Sequence, residues 1–182
     1  MNHKVLFTTI ATAPLTFLVT PALFAAEDAK TEKAAAAQAT ADAEFMHQVV
    51  RDGLTEIKAG DIARGRARRE DVKKFARSMA DDHADVTKNL LTLADRMNMK
   101  MPIDIGDQQA FIDGLKAKKD DDFDRTYVAA TVTSHEKCVA MFEKFARTTQ
   151  NADLKAYADN TLPGLRAHLK NAQALLAALG GK

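Results

Sequence analysis

The sequence predicts an all-α four-helix bundle with one long crossover between its second and third long helices. Three observations predict it. From residue 42 onward the apolar residues recur at steps of three and four, the period of a helix that buries one face. No β-hairpin signal and no repeat of solenoid period interrupts that pattern. The outer two connections are short, whereas the middle one is long.

The first helix is expected over 42–63. It sets Phe45, Met46, Val49, Val50, Ile57 and Ala63 in one sector, and Gly53 and Gly60 let a neighbour approach closely. The second, over 70–98, has the clearest stripe: Val72, Phe75, Ala76, Met79, His83, Val86, Leu90, Leu93 and Met97. Pro102 and Gly106 then break the pattern. A short amphipathic helix over 107–118 follows, with Ala110, Phe111 and Leu115 expected to face inward. Asp120 and Asp121 suit the start of the next long helix, where carboxylates meet free amides and the dipole. That helix, 120–147, lines Tyr127, Thr131, Cys138, Phe142 and Phe145 along its inner face. The last, 151–179, uses Leu154, Ala158, Leu162, Leu165, Leu169, Ala172 and Leu176. Pro163 should kink it, and Gly180-Gly181 ends it.

Short connections make antiparallel hairpins of the first and second, and of the third and fourth, long helices. Helices of this length run about 35 to 40 Å at about 1.5 Å per residue. A middle connection over 99–120 is long enough to cross the whole bundle, which an up-down-up-down arrangement would not need.

Upstream, residues 1–25 read as an export signal. A basic start is followed by an apolar run and by small residues at Ala22, Ala25 and Ala26 that suit cleavage. Thr8, Thr9, Thr12, Pro14, Thr16, Thr20 and Pro21 dilute that run, which argues against a membrane anchor. Residues 26–41 are Ala-rich and charged with no bulky apolar side chain, so they are expected to form a linker, and 42–180 the bundle domain. A soluble periplasmic or secreted protein is implied, with no membrane span after cleavage.

Composition excludes several classes. Lys plus Arg number 26 against 25 Asp plus Glu, so no basic excess invites nucleic acid. The single Cys, Cys138, can form no intrachain disulfide and suits a small buried hydrophobe. There is no phosphate-binding Gly-rich loop, no His-Glu-x-x-His and no Gly-x-Ser-x-Gly. Hydrolase and nucleotide-dependent activity is not expected.

The candidate site is polar and central. Glu56, His83, His135 and His168 stand one per long helix, each in or at the edge of the core-facing stripe, and all near mid-bundle by turn count. Buried polar groups must be hydrogen-bonded, paired or metal-bound. Imidazole and carboxylate suit one transition ion, whether zinc, iron or copper. Asp82, Asp124 and Tyr127 are candidates to support that set from behind, and Asp82 could orient an imidazole. A hydrogen-bonded polar layer that fixes helix register is the alternative. A dimetal oxidase fits poorly. Glu44-Phe45-Met46-His47 has the Glu-x-x-His spacing, but with His47 facing outward, and the other helices lack the carboxylates. Met97, Met99 and Met101 offer thioethers to copper, although Met97 already belongs to the core stripe.

Several motifs resemble one bacterial family. Val72-Lys73-x-Phe75-Ala76-x-x-Met79 running into Asp82-His83 is similar to a signature of exported helical proteins catalogued as a domain of unknown function and often labelled outer-membrane proteins. Glu56-x-x-x-Gly60, Phe123-Asp124-x-x-Tyr127, His135-Glu136 and Leu162-Pro163-x-Leu165-x-x-His168-Leu169 also resemble its motifs, in order across 42–179. The resemblance implies a ferritin-like four-helix bundle and carries no established activity. The sequence departs from the family at the first turn, where the charged run Arg66 to Asp71 replaces small residues. Nothing resembles the strands of a membrane barrel. Three function classes follow: a metal-binding envelope protein, with an ion or an envelope protein as partner; a structural and interaction protein; or, third, a redox enzyme related to ferritins.

Overall fold

The structure, a computed structural model, describes residues 21–180. The expected export signal falls, as far as residue 20, outside the described residues. The chain divides into two compact units, Met1–Ala36 and Ala37–Lys182. Helix α1 (Pro21–Arg66) starts well ahead of Asp42, so the Ala-rich stretch expected as a linker is helical. Alanine has the highest helix propensity, which accounts for this without any buried face. The side chains from Lys30 to Thr40 are exposed, apart from a half-buried Gln38.

The second unit is all-helical among its described residues. After α1 come α2 (Glu70–Arg96), a 3-10 turn (Gly106–Gln108), α3 (Gln109–Ala117), α4 (Asp120–Thr148) and α5 (Ala152–Ala178). No described helix is long and apolar enough to cross a membrane.

Contacts at the ends fix the directions. Phe45, early in the packed part of α1, stacks on Phe145 near the end of α4 with ring centroids 3.6 Å apart. The α1/α2 turn instead meets the start of α4 and the end of α5. Arg68 and Arg69 donate backbone N–H to Asp124, and the Arg69 guanidinium donates to the carbonyl of Ala178. So α1 and α2 are antiparallel, α4 runs with α2, and α5 returns with α1. The segment between α2 and α4 crosses the bundle's length, as the ferritin-like topology requires.

Local chemistry sets the element ends. Past its last turn, α2 places Asn98 in the left-handed region at φ 54°, while Asn98 and Met99 donate to Asp95 and Ala94. That closure leaves the crossover free to turn back. Helix α5 begins on Asn151, whose side chain accepts from the amides of Asp153 and Leu154, and it continues through Pro163. Helix α4 starts after Lys119, which supplies no side-chain cap. In α3 Leu115 is buried as expected, but Ile112 takes the inward place expected of Phe111, which is 37% exposed, and Ala110 is exposed as well.

The core comes in two apolar halves. One gathers Phe45, Met46, Val50, Leu90, Phe142 and Leu154. The other gathers Ala63, Val72, Met79, Ile112, Phe123 and Tyr127. Met97, Met99 and Met101 are partly buried against the first half. Gly60 lets α1 and α2 touch backbone to backbone, since a Cβ there would stand 2.8 Å from the Ala76 carbonyl oxygen. Between the halves lie buried Glu56, His83, Thr87, Thr131 and His135. The polar residues therefore interrupt the core rather than decorate its edge.

Candidate metal centre

Helical spacing brings the imidazoles together. His83 follows Met79 by one turn on α2, His135 follows Thr131 by one turn on α4, and His168 lies beside the Leu165 stripe on α5. Their ring centroids are 5.4, 5.5 and 5.6 Å apart, a nearly equilateral triangle. Each offers a ring nitrogen within 4.8 Å of the others. His83 Nε2 and His135 Nε2 stand 3.3 Å apart. Two imidazoles on one tetrahedral zinc, with Zn–N of about 2.0–2.1 Å, would place their nitrogens at about that separation.

The far nitrogens of His135 and His168 are held. His135 Nδ1 lies 3.1 Å from the Thr131 carbonyl oxygen, which can only accept, so Nδ1 carries the hydrogen and Nε2 the lone pair. His168 Nε2 lies 2.8 Å from Asp82 Oδ2 and donates to it. This leaves His168 Nδ1 buried and, among the described residues, without a hydrogen-bond partner. A carboxylate or carbonyl behind an imidazole, fixing its tautomer and turning its lone pair toward the centre, is the usual support of a metal ligand.

The electrostatics keep two of the imidazoles, His83 and His135, neutral. Burial, followed by repulsion from His135 and His168, pushes the His83 imidazole down to about 3. Burial, followed by His168, pushes His135 down to about 4. Both are therefore unprotonated at neutral pH, the state that ligates.

The glutamate stands apart. Glu56 Oε1 accepts from Ser134 Oγ at 2.5 Å and lies 3.9 Å from His135 Nδ1, the nitrogen already turned to Thr131. It faces the back of the imidazole, whereas His83 meets the front. Of the expected four ligands, three converge and Glu56 does not join them. Burial, opposed by the Ser134 hydrogen bond, carries its carboxyl up to about 7.

Comparisons with known proteins fall on this same bundle. The family model of a domain of unknown function, DUF4142, matches residues 27–175. The chain belongs to that family. Two solved structures share the DUF4142 chain's fold. A DUF305 fragment from Deinococcus radiodurans matches with TM-score 0.66 and 12% identity, over 75% of this chain and 95% of that one. A Streptomyces coelicolor protein described as a secreted DUF305 protein matches with TM-score 0.67 and 18% identity, over 78% and 95%. At these identities the likeness speaks for the bundle alone. No curated protein matches the DUF4142 chain.

Two expected supporters do something else in this DUF4142 bundle. Asp124 shares the inward sector of α4 but sits near its start, where its two oxygens accept from the backbone N–H of Arg68 and Arg69 at 3.0 and 2.9 Å. It closes the charged α1/α2 turn rather than backing an imidazole. Asp124→Ala is expected to lower stability by about 1–3 kcal/mol, read as an earlier urea midpoint, because two amides lose their acceptor. Tyr127 packs 6.4 Å from Phe75, and among the described residues no hydrogen bond joins it to an imidazole. Burial, then Glu56, raises its phenol well above the usual range.

Sequence reasoning passed over Ser134 and the group around Asp52. Ser134 links Glu56 to His135, its hydroxyl 3.3 Å from Nδ1. Asp52 accepts from Gln108 Nε2 at 2.6 Å and from Gln48 at 2.9 Å, and Thr55 bonds Gln108 in turn. The signal was the Asp52–Glu56 spacing of one turn, which puts both carboxyls on the same face of α1. Cys138 lies beside this group, its thiol pushed by burial up to about 12, hence no thiolate nucleophile at neutral pH.

Proposed function

We propose that this is an exported envelope protein in which His83, His135 and His168 bind one transition-metal ion, zinc, iron or copper, for sequestration or stress protection. The observation that carries the reading is His168 Nδ1, buried and without a hydrogen-bond partner among the described residues while its other nitrogen is held by Asp82. Among the described residues no other group meets that atom, and a buried polar atom left bare costs about 1–3 kcal/mol. A metal ion satisfies it and uses the lone pairs of His83 and His135 together. Export rests on the signal-like residues 1–25. Asp82 is the positioning residue for His168, Thr131 for His135, and Ser134 with Glu56 backs the latter.

A second reading is a non-catalytic structural or interaction protein of the envelope, its polar layer held by hydrogen bonds. The 3.3 Å contact between His83 and His135 favours it, because one imidazole can donate to the other.

Elemental analysis separates the two. Protein purified without a nickel column should carry about one equivalent of zinc, iron or copper, and His168→Ala should lose it while remaining folded. Protein that stays metal-free after exposure to each ion, with His168→Ala altering stability alone, would leave the polar layer as the function of the cluster.

A further inference from the structure

We propose that the cavity between α1, α4 and the crossover binds a small organic cation, a primary ammonium ion with an apolar body, through the carboxyls of Asp52 and Glu56 and the ring of Phe111. The inference goes beyond the metal reading, since it uses neither the ion nor the position between the three imidazoles.

The cavity encloses about 790 Å³, within the range of small-molecule sites. Asp52 and Glu56 stand one turn apart on α1, and both line it. Each keeps one oxygen open. Asp52 accepts from Gln48 and Gln108 on the same atom, Oδ1, and no described residue donates to its Oδ2. Glu56, only 9% exposed, accepts from Ser134 on Oε1, and no described residue donates to its Oε2. An occupant that donates hydrogen bonds meets two unused acceptors there.

The charge of the pair is also uncompensated. Among the described residues no Lys or Arg pairs with either carboxyl; the one ion-pair geometry is Glu56 with the His135 imidazole, which is neutral. Lys137, on the same wall, is exposed and reaches neither. Two ionised carboxylates one turn apart repel, and a cation shared by them replaces that repulsion with charge-assisted hydrogen bonds.

The remaining lining selects an organic cation over a bare metal ion. Phe111, Ala129, Ala130 and Met141 give the wall an apolar stretch that a hydrated ion does not use. Phe111 stays exposed while its neighbour Ile112 is buried, so its ring serves the cavity and not the core. An aromatic ring attracts an ammonium group electrostatically and packs on the chain attached to it. An anion would meet the two carboxyls instead.

Calorimetric titration of the full-length, metal-free protein at about pH 8 tests this, because a primary amine is then still an ammonium ion and Glu56, raised to about 7, is ionised. Butylammonium should bind saturably, and butyrate and butanol, which share its chain, should bind about tenfold more weakly or not at all. Asp52→Asn should weaken butylammonium about tenfold, because the amide still accepts from Gln48 and Gln108 but carries no charge. Phe111→Leu, at an exposed position that the fold does not depend on, should weaken it about two- to fivefold and serves if Asp52→Asn misfolds. His168→Ala should leave the affinity unchanged, which separates this site from metal coordination. No saturable heat from butylammonium, equal binding of butyrate or butanol, or an affinity unmoved by the folded variants of Asp52 and Phe111 would each overturn the inference while the metal reading stands.

Discussion

Zinc added to the metal-free protein at neutral pH should raise its unfolding temperature, and His135→Ala should abolish the rise. An ion that binds the folded chain alone stabilises it by RT ln(1 + [L]/Kd), about 2.7 kcal/mol at a free concentration near 100 Kd. For a chain of this size that is a shift of about 5–11 °C, at 2–4 °C per kcal/mol. His135 is the sharpest ligand to remove. It is 1% exposed, its tautomer is set by Thr131, and its Nε2 already stands 3.3 Å from that of His83. Asp82→Asn tests the layer behind. The amide can turn its oxygen to His168 Nε2, so the fold should survive. The ring loses a charged acceptor, however, and zinc affinity should fall about 10–100-fold. A purely structural layer predicts no zinc-dependent shift in the wild type, and then nothing for Asp82→Asn to weaken. Differential scanning calorimetry at several zinc concentrations distinguishes the outcomes.

What could be read from the sequence, and what could not, follows from the range of the forces involved. Helical periodicity is local, so Met79, His83 and Leu90 could be assigned to one buried face before any partner was known. The crossover was readable for a related reason, since helix length and linker length together admit few topologies. Asp82 was expected to orient an imidazole and does so at His168. The errors arise where rotation about a helix does not decide contact. Asp124 and His135 share a sector of α4, but nearly three turns separate them, and Asp124 meets an α1/α2 turn whose path the α4 sequence cannot specify. Glu56 was given the right face of α1, and only the rotamers of Ser134 and His135 decide that it meets Nδ1 and not the front of the ring. In α3, adjacent Phe111 and Ile112 compete for one inward position on a nine-residue helix, and packing against the neighbouring long helices selects Ile112.

The remaining large effect is the pH dependence of stability, which the imidazoles of His83 and His135 and the buried carboxyls of Glu56 and Asp52 set in opposite senses. His83 and His135 have folded values of about 3 and about 4, below the ordinary 6.5. The unfolded chain therefore takes up protons there that the folded one refuses. Their contribution is complete above about pH 6.5 and is lost as pH falls toward 4. Glu56 is the reverse, its folded value raised from 4.5 to about 7. Its contribution is complete below about pH 4.5 and is lost as pH rises through 7. Asp52, raised mainly by burial, acts in the same direction as Glu56. Between about pH 5 and 6.5 two imidazoles thus pull against the carboxyls, and the metal-free protein should be most stable near neutrality and weaken steeply below pH 5. Glu56→Gln isolates the opposing part, since the amide keeps an acceptor for Ser134 but cannot titrate. Its stability should rise with pH more steeply than that of the wild type by about one proton over this interval, or about 1.4 kcal/mol per pH unit. Urea unfolding at half-unit steps from pH 4.5 to 8 measures both slopes. Parallel curves would mean that Glu56 titrates alike in the folded and unfolded chains, and that the carboxyl behind His135 holds no extra proton at pH 6.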